Sequence, residues 1–271
     1  MTTTLPHYAR ALGGIVGREV LRFVHQRERF LSALVRPLLW LFVFAAGFRA
    51  ALGIAITPPY ETYIPYEVYI VPGLVGMVQL FNGMQSSLSM VYDREMGSMR
   101  MLLVSPLPRW FLLTAKLLAG TAVSILQVYA FLAIAWLYGV QAPPLGYVAV
   151  LPALVVTGLM LGALGMLLSS AIRQLENFAG VMNFVIFPTF FLSTALYPLW
   201  KMQESSELLY TICLVNPFSQ AVELIRHALY LSLDAQALAW TVLALAVFLG
   251  GAIFGYNPAR GFLARRGAGA E

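Results

Sequence analysis

Few residues in this chain have the types and spacing that catalysis or cofactor binding requires. A nucleotide-binding loop places a lysine directly after a glycine so that both cradle phosphates, whereas Lys116 follows an alanine and Lys201 a tryptophan. The three histidines are too scattered to predict a metal site or a catalytic triad. The one cysteine, Cys213, permits no disulfide within the chain. The sequence therefore predicts no catalytic residue, no metal ligand and no cofactor for this chain itself.

A distinctive charged segment lies between two apolar stretches, at residues 93–110, and reads DREMGSMRMLLVSPLPRW. Charge is concentrated in Asp93, Arg94 and Glu95, and the apolar residues that follow recur at helical spacing. Pro106 ends this helix, because the residue before a proline is pushed out of the α region. A partner protein that binds a short helix lying across the ends of two membrane spans could move both spans together. The alternative is an ordinary loop whose Met and Leu side chains rest on lipid.

Arginines near the N-terminus form a second pattern. Arg18, Arg22, His25, Arg29 and Arg36 recur at spacings of 4, 3, 4 and 7, which places them on one narrow face of a helix with apolar residues opposite. Such a helix lies in the membrane interface, with its arginines towards water or lipid phosphate. It serves either as an anchor that fixes orientation or, in addition, as a docking site for a cytoplasmic partner.

The elements that must position these residues are membrane helices. The chain of 271 residues is 60% apolar and 11% charged, with a mean hydropathy of +0.78, against about 45–50% apolar and about 25% charged in a soluble domain. This composition excludes a soluble enzyme, a nucleic-acid-binding domain and a disordered protein. The predicted fold class is all-α, a polytopic membrane protein with six transmembrane helices. They are expected at about 37–56, 68–91, 111–140, 147–172, 178–199 and 237–256.

Basic residues predict the orientation of these spans. If the N-terminus is cytoplasmic, only Arg49, Lys201 and Arg226 of the seventeen basic residues face outward. Residues 1–36 then form a cytoplasmic interfacial helix, 37–256 the transmembrane domain and 257–271 a basic cytoplasmic tail. The excess of positive charge is thus explained by the orientation of the spans in the membrane, and no nucleic-acid partner is expected.

The segment before the last span is too long for a simple turn. Within it, residues 208–218 are apolar but too few to cross a bilayer, and Asn216-Pro217 interrupts them. We interpret this run as a re-entrant or interfacial segment on the outer side.

Three segments, in this order and placement, resemble the ABC-2 type permeases, the membrane subunits of type 2 ATP-binding-cassette exporters. The first is the charged segment, with an acidic residue, a glycine beside a small hydroxyl residue and a Leu-Leu-x-Ser-Pro end. The second runs from Leu214 to Arg226 and contains Asn216-Pro217, and the third, weaker one covers residues 170–177. One departure is Arg100, where many members carry a glutamate. The residues that carry the first match are Glu95, Gly97, Ser98, Leu102, Leu103, Ser105 and Pro106.

The resemblance implies that residues 93–106 contact a separate ATP-hydrolysing subunit, present in two copies, which binds ATP and Mg. It also implies a second permease protomer, either another copy of this chain or a similar chain. The location would be the bacterial inner membrane, and the substrate a lipid, a glycan or a hydrophobic drug-like molecule. The residues that would form the coupling contact are Asp93, Arg94, Glu95, Gly97, Ser98, Arg100, Leu103 and Pro106; those of the outer re-entrant segment are Asn216, Pro217, Glu223 and Arg226.

Spans 2 and 5 resemble the walls of the family's transport path between two protomers. Candidate path residues are Arg49, Tyr69, Asn183 and Phe187. Each has a simpler interpretation: Arg49 can snorkel outward, and the phenylalanines of span 5 can face lipid. Tyr60, Tyr63, Tyr66 and Tyr69, spaced every third residue, can form an interfacial girdle.

Two other functions fit the composition. An ion-coupled secondary carrier would need an ionisable group inside the membrane, and Arg49 is the one candidate. A non-transporting scaffold would need none. In span 4, Gly158-x-x-x-Gly162 predicts close helix packing, within the chain rather than between copies.

Overall fold

The structure is a computed structural model, and it describes residues 5–25, 34–43, 58–95, 107–172 and 174–256. These residues form α-helices joined by turns. In chain order the helices are α1 (Leu5–His25), α2 (Leu34–Val43), α3 (Tyr66–Glu95), α4 (Arg109–Leu137), α5 (Gly146–Ala171), α6 (Leu175–Phe191), α7 (Leu199–Ser205), α8 (Glu207–Val215), α9 (Pro217–Leu229) and α10 (Ala235–Gly255).

Three of the described helices are both long enough and apolar enough to cross a membrane: α4, α5 and α10. A fourth candidate is the pair α8 and α9, which together pass the same test but are bent by 72°. The helices α2 and α6 are apolar but shorter. The prediction of an all-helical membrane protein is thus confirmed, and the count of six spans stays a prediction.

Helices α3 and α5 approach closely because small residues line their contact. A Cβ atom added to Gly83 would lie 2.9 Å from the Cα of Gly162, and one added to Gly165 would lie 2.9 Å from the carbonyl oxygen of Gly83. Side chains at these positions would force the backbones apart. The predicted packing of the span-4 glycines within the chain is therefore confirmed.

The fifth predicted span, 178–199, is longer than the helix found there. Helix α6 ends at Phe191, and the residues after it form a buried turn in which Ser193, Thr194, Ala195 and Leu196 are at most 2% exposed. A Cβ on Gly73 of α3 would come within 2.4 Å of the Ala195 carbonyl oxygen. The apolar composition extends beyond the helix because this turn packs against α3.

The bend between α8 and α9 lies at Asn216-Pro217. The side-chain Oδ1 of Asn216 accepts a hydrogen bond of 2.9 Å from the amide of Phe218, and Pro217 occupies the first helical position of α9. A side-chain cap and a proline at the first position are both typical of a helix start. The sequence therefore begins a new helix here instead of continuing α8.

Candidate transport path and coupling end

The charged segment is described at its beginning. Asp93 and Arg94 lie in the last turn of α3, with side chains outside the described part, and Glu95 ends the helix with an exposed side chain. The remaining predicted coupling residues, Gly97, Ser98, Arg100, Leu103 and Pro106, lie outside the described residues. The described residues resume at Leu107, and Pro108 directly precedes Arg109, the first residue of α4.

Glu95 joins two helices. Its Oε2 accepts a hydrogen bond of 3.1 Å from the backbone amide of Leu175, the first residue of α6. The first amides of a helix have no partner within the helix, and a carboxylate there is favoured by the helix dipole. One residue of the predicted coupling contact therefore also fixes the start of α6.

The N-terminal helix α1 packs against the start of α4, where the ring of Tyr8 meets the ring of Phe111 at 4.9 Å. Phe23 is buried, whereas the side chain of Arg18 is 71% exposed and pairs with Glu19 at 3.2 Å. The side chain of Arg22 and the whole of Arg29 lie outside the described part of the chain.

At the other end of α6, a buried polar network holds the turn of residues 192–198 in place; we call it the outer turn, after the side on which the sequence predicts it. Arg226 is 1% exposed; its Nη1 donates to Glu223, and its Nη2 donates to the carbonyl oxygen of Thr194 at 2.9 Å. Its guanidinium lies 4.1 Å from the centroid of the Tyr69 ring. The hydroxyl of Tyr69 donates to the same Thr194 carbonyl at 3.0 Å. We call Tyr69, Thr194, Glu223 and Arg226 the outer network.

Asn216 binds the C-terminal end of α6. Its Nδ2 donates to the carbonyl oxygens of Thr189, at 2.8 Å, and Leu192, at 2.6 Å. The last carbonyls of a helix lack partners of their own. Asn216 thus provides hydrogen-bond partners both for backbone carbonyls at the end of α6 and for a backbone amide at the start of α9. Because Glu95 caps the opposite end, α6 is fixed at both termini by side chains from other elements.

The predicted tyrosine girdle is wrong for three of its four members. Tyr60, Tyr66 and Tyr69 are at most 6% exposed, and only Tyr63 is exposed. They are buried because α9 and the outer turn cover this part of the chain: Tyr60 meets Tyr230 ring to ring at 4.7 Å, and the Tyr66 hydroxyl donates to the carbonyl oxygen of Leu196. Tyr69 would reach a substrate only if the outer network opened.

Asn183 lies in a different place from Tyr69. It lines a cleft of about 200 Å³ between α2, α3, α4 and α6. We call this the polar cleft, after the polar residues in its wall: Arg36, Asn82, Gln85, Gln127 and Asn183. Phe187, one turn further along α6, is 44% exposed and stacks on Phe191 at 6.3 Å. Arg49 lies outside the described residues.

Arg36 packs against the middle of α3, although its side chain is exposed overall. Its guanidinium is 3.8 Å from the centroid of the Phe81 ring, near the midpoint of α3. The short helix α2 carries it there, and Trp40 of the same helix contacts the rings of Phe190 and Phe191.

Sequence reasoning missed the uncharged polar residues of α3. Gln79 is 1% exposed and bonds to Thr157 and to the Leu154 carbonyl of α5; Asn82 donates to Oε1 of Gln127 at 2.7 Å. These side chains carry no charge, so the pattern of ionisable residues does not reveal them. The signal was present, since Gln79, Asn82 and Gln85 recur every third residue within an apolar stretch.

Comparison with known proteins identifies the fold's family. The chain is 27% identical to the putative transport permease ycf38 of Cyanophora paradoxa, over 78% of this chain and 71% of that protein. It is similarly related to the ycf38 permease of Porphyra purpurea, with 27% identity over 79% of this chain and 72% of that protein. It is 30% identical to the probable multidrug ABC transporter permease YbhR of Escherichia coli (strain K12), over 68% of this chain and 49% of that protein.

The sequence profile of the ABC-2 type transporters matches residues 10–230. This range contains both ends of α6, the outer network and the polar cleft. The expected resemblance is therefore confirmed over most of the chain. With its apolar helices, the chain is a membrane transporter subunit and belongs to the ABC-2 type transporter family.

Proposed function

We propose that this chain is the permease subunit of an ATP-driven exporter, with six spans and a separate ATPase. The match of the ABC-2 type transporter profile over residues 10–230 carries the proposal. The absence of a lysine after a glycine supports it, because a chain without a phosphate-binding loop of that type needs a partner to use ATP. ATP and Mg would be bound by two copies of that partner.

In the proposed assembly, two permease protomers form the path, and both termini lie in the cytoplasm of a bacterial cell, with the chain in the inner membrane. ATP binding closes the ATPase subunits and moves residues 93–106. The hydrogen bond from Leu175 to Glu95 transmits this movement to α6. Since α6 carries Asn183 and Phe187, its displacement changes the wall of the path. A lipid, glycan or hydrophobic drug-like substrate would move outward.

Affinity purification tests the partnership. The chain is co-expressed with a candidate ATP-binding-cassette ATPase from the same genome and isolated by a tag on the permease. We expect the ATPase to co-purify, and expect Gly97→Pro or Pro106→Ala in the coupling segment to weaken the complex. Lys201→Gln, in α7, is the matched control and retains the partner. Full substrate transport by the chain reconstituted alone would contradict the proposal and favour a secondary carrier.

A further inference from the structure

Several polar side chains converge on the polar cleft. Within the described part of the chain, Arg36, Gln85 and Asn183 form no hydrogen bond, although all three line the same cleft. Asn82 and Gln127 bond to each other at 2.7 Å in the same wall. The side chains of Arg36, Gln85 and Asn183 are all exposed on the wall of the cleft, so their hydrogen-bonding groups are available to a molecule that enters it. A ligand that accepts several hydrogen bonds at once would use them together.

The charge of the cleft specifies what that partner is. Arg36 is the only charged residue among the described residues of the wall, and no described acidic side chain pairs with it. Its guanidinium lies over the face of the Phe81 ring, at 3.8 Å, which leaves the edge of the guanidinium available. The guanidinium presents a fork of N–H donors that matches phosphate and carboxylate oxygens. The amides of Gln85 and Asn183 add donors for the same oxygens.

The size and surroundings of the cleft add a second requirement. A volume of about 200 Å³ is below the roughly 300–1,000 Å³ typical of a site for a whole drug-sized ligand. The rest of the ligand must lie outside the cleft. Phe187 and Phe191 follow Asn183 at four-residue steps along α6 and are 44% and 42% exposed. An acyl or other apolar chain laid along this face would contact both rings.

We propose that the polar cleft binds the anionic head group of an amphipathic substrate, a phosphate ester or a carboxylate, while its apolar part lies along Phe187 and Phe191. The role of this molecule as cargo rests on the proposed function; its binding does not. Arg36 holds the charge, Gln85 and Asn183 orient the head group, and the phenylalanines select for the apolar chain.

Binding to the isolated full chain, in neutral maltoside micelles, tests the site without any ATPase. The probe is tritiated dodecyl phosphate, measured by scintillation proximity, with inorganic phosphate and dodecanol as competitors. We expect saturable binding to the unmodified chain and a loss of roughly tenfold or more for Arg36→Gln, as expected for a charged hydrogen-bonded pair. Arg36→Lys keeps the charge without the fork and is expected to bind with intermediate affinity. Lys201→Gln removes one positive charge elsewhere and is expected to bind normally.

Two uncharged variants keep the test decisive if Arg36→Gln fails to fold. Asn183→Leu and Gln85→Leu retain the arginine, and each is expected to weaken binding several-fold while leaving the gel-filtration profile unchanged. Equal binding by Arg36→Gln, or by both leucine variants, would overturn the site. Displacement by inorganic phosphate at the same concentration would show a free-phosphate site, and displacement by dodecanol a purely apolar one; either contradicts the proposal. A chain that binds dodecyl phosphate but recruits no ATPase would leave the site intact and refute the exporter function.

Discussion

At the scale of single residues, the outer network shows how a charge is accommodated inside an apolar bundle. Arg226 is as buried as the core residues around it, yet its guanidinium meets a carboxylate, a carbonyl oxygen and an aromatic face. A buried pair of this kind contributes little net stability compared with apolar residues, but removing one partner leaves the other unpaired. Arg226 is therefore expected to act mainly by fixing α9 against the outer turn.

Substitution of Arg226 tests this account. We predict that Arg226→Met lowers the free energy of unfolding by about 3–5 kcal/mol, because Glu223 loses its cation. The double variant Arg226→Met, Glu223→Met should lose less than the single variant, since no unpaired charge remains. Thermal unfolding in neutral detergent measures both, with Lys201→Gln as the control. A double variant that is less stable than Arg226→Met would show that the pair itself is the main source of stability.

At the scale of elements, α6 is unusual because its ends are fixed by side chains from elsewhere in the chain. Glu95 binds its first amide, and Asn216 binds carbonyls near its end. Its middle includes exposed phenylalanines and Asn183. A helix held at its termini can be displaced by whatever moves those termini. The link at Glu95 makes the end of α3 the natural place for that displacement to start.

Removal of the Glu95 carboxylate is predicted to loosen the start of α6. Spin labels at positions 92 and 177, in a Cys213→Ser background, report the distance between the end of α3 and the first turns of α6. The distance distribution should be narrow with Glu95 present and broader in Glu95→Ala. Glu176→Ala, which removes an exposed carboxylate one residue after Leu175, is the matched control and should leave the distribution unchanged. Identical distributions in all three proteins would mean that the hydrogen bond does not position α6.

The sequence predicted some elements closely and others poorly, for physical reasons. Helix α5 was predicted at 147–172 and is found at Gly146–Ala171. The prediction is close because the apolar run is long and turn residues on both sides define where the helix can begin and end. The end of α6 was misplaced, because a buried turn has the same composition as a span. The polar cleft was not predicted, since it joins residues from four helices and depends on which faces meet. Of the residues in its wall, the sequence analysis named only Asn183 as a candidate for the transport path.

At the scale of the whole molecule, α3 and α5 form one of the most extensive and closest helix contacts of the bundle. This contact requires small residues, and a Cβ at Gly83 would approach backbone atoms of α5 that cannot move independently. The same pair of helices carries Gln79 and Thr157, whose hydrogen bond of 2.6 Å lies in the contact. Separation of the helices would break both the packing and the hydrogen bond.

Enlargement of this contact is predicted to destabilise the whole chain. Gly83→Ala should cost about 1–3 kcal/mol, the usual range for overpacking a close contact. Gly250→Ala in α10 is the matched control, because an added Cβ there meets nothing within 4 Å and alanine favours the helix. The midpoint of thermal unfolding in detergent compares the two. An unchanged midpoint for Gly83→Ala would show that α3 and α5 are packed less closely than described.

If this chain is an exporter subunit, it must stimulate ATP hydrolysis by its partner ATPase. Measurement of ATP hydrolysis in vesicles tests this requirement most directly. The ATPase that co-purifies with the chain is reconstituted with the unmodified chain, with Gly97→Pro or with no permease. We predict that hydrolysis is stimulated by the unmodified chain and that Gly97→Pro removes most of the stimulation, because residues 93–106 are the proposed contact with the ATPase. Equal hydrolysis in all three preparations would contradict the account.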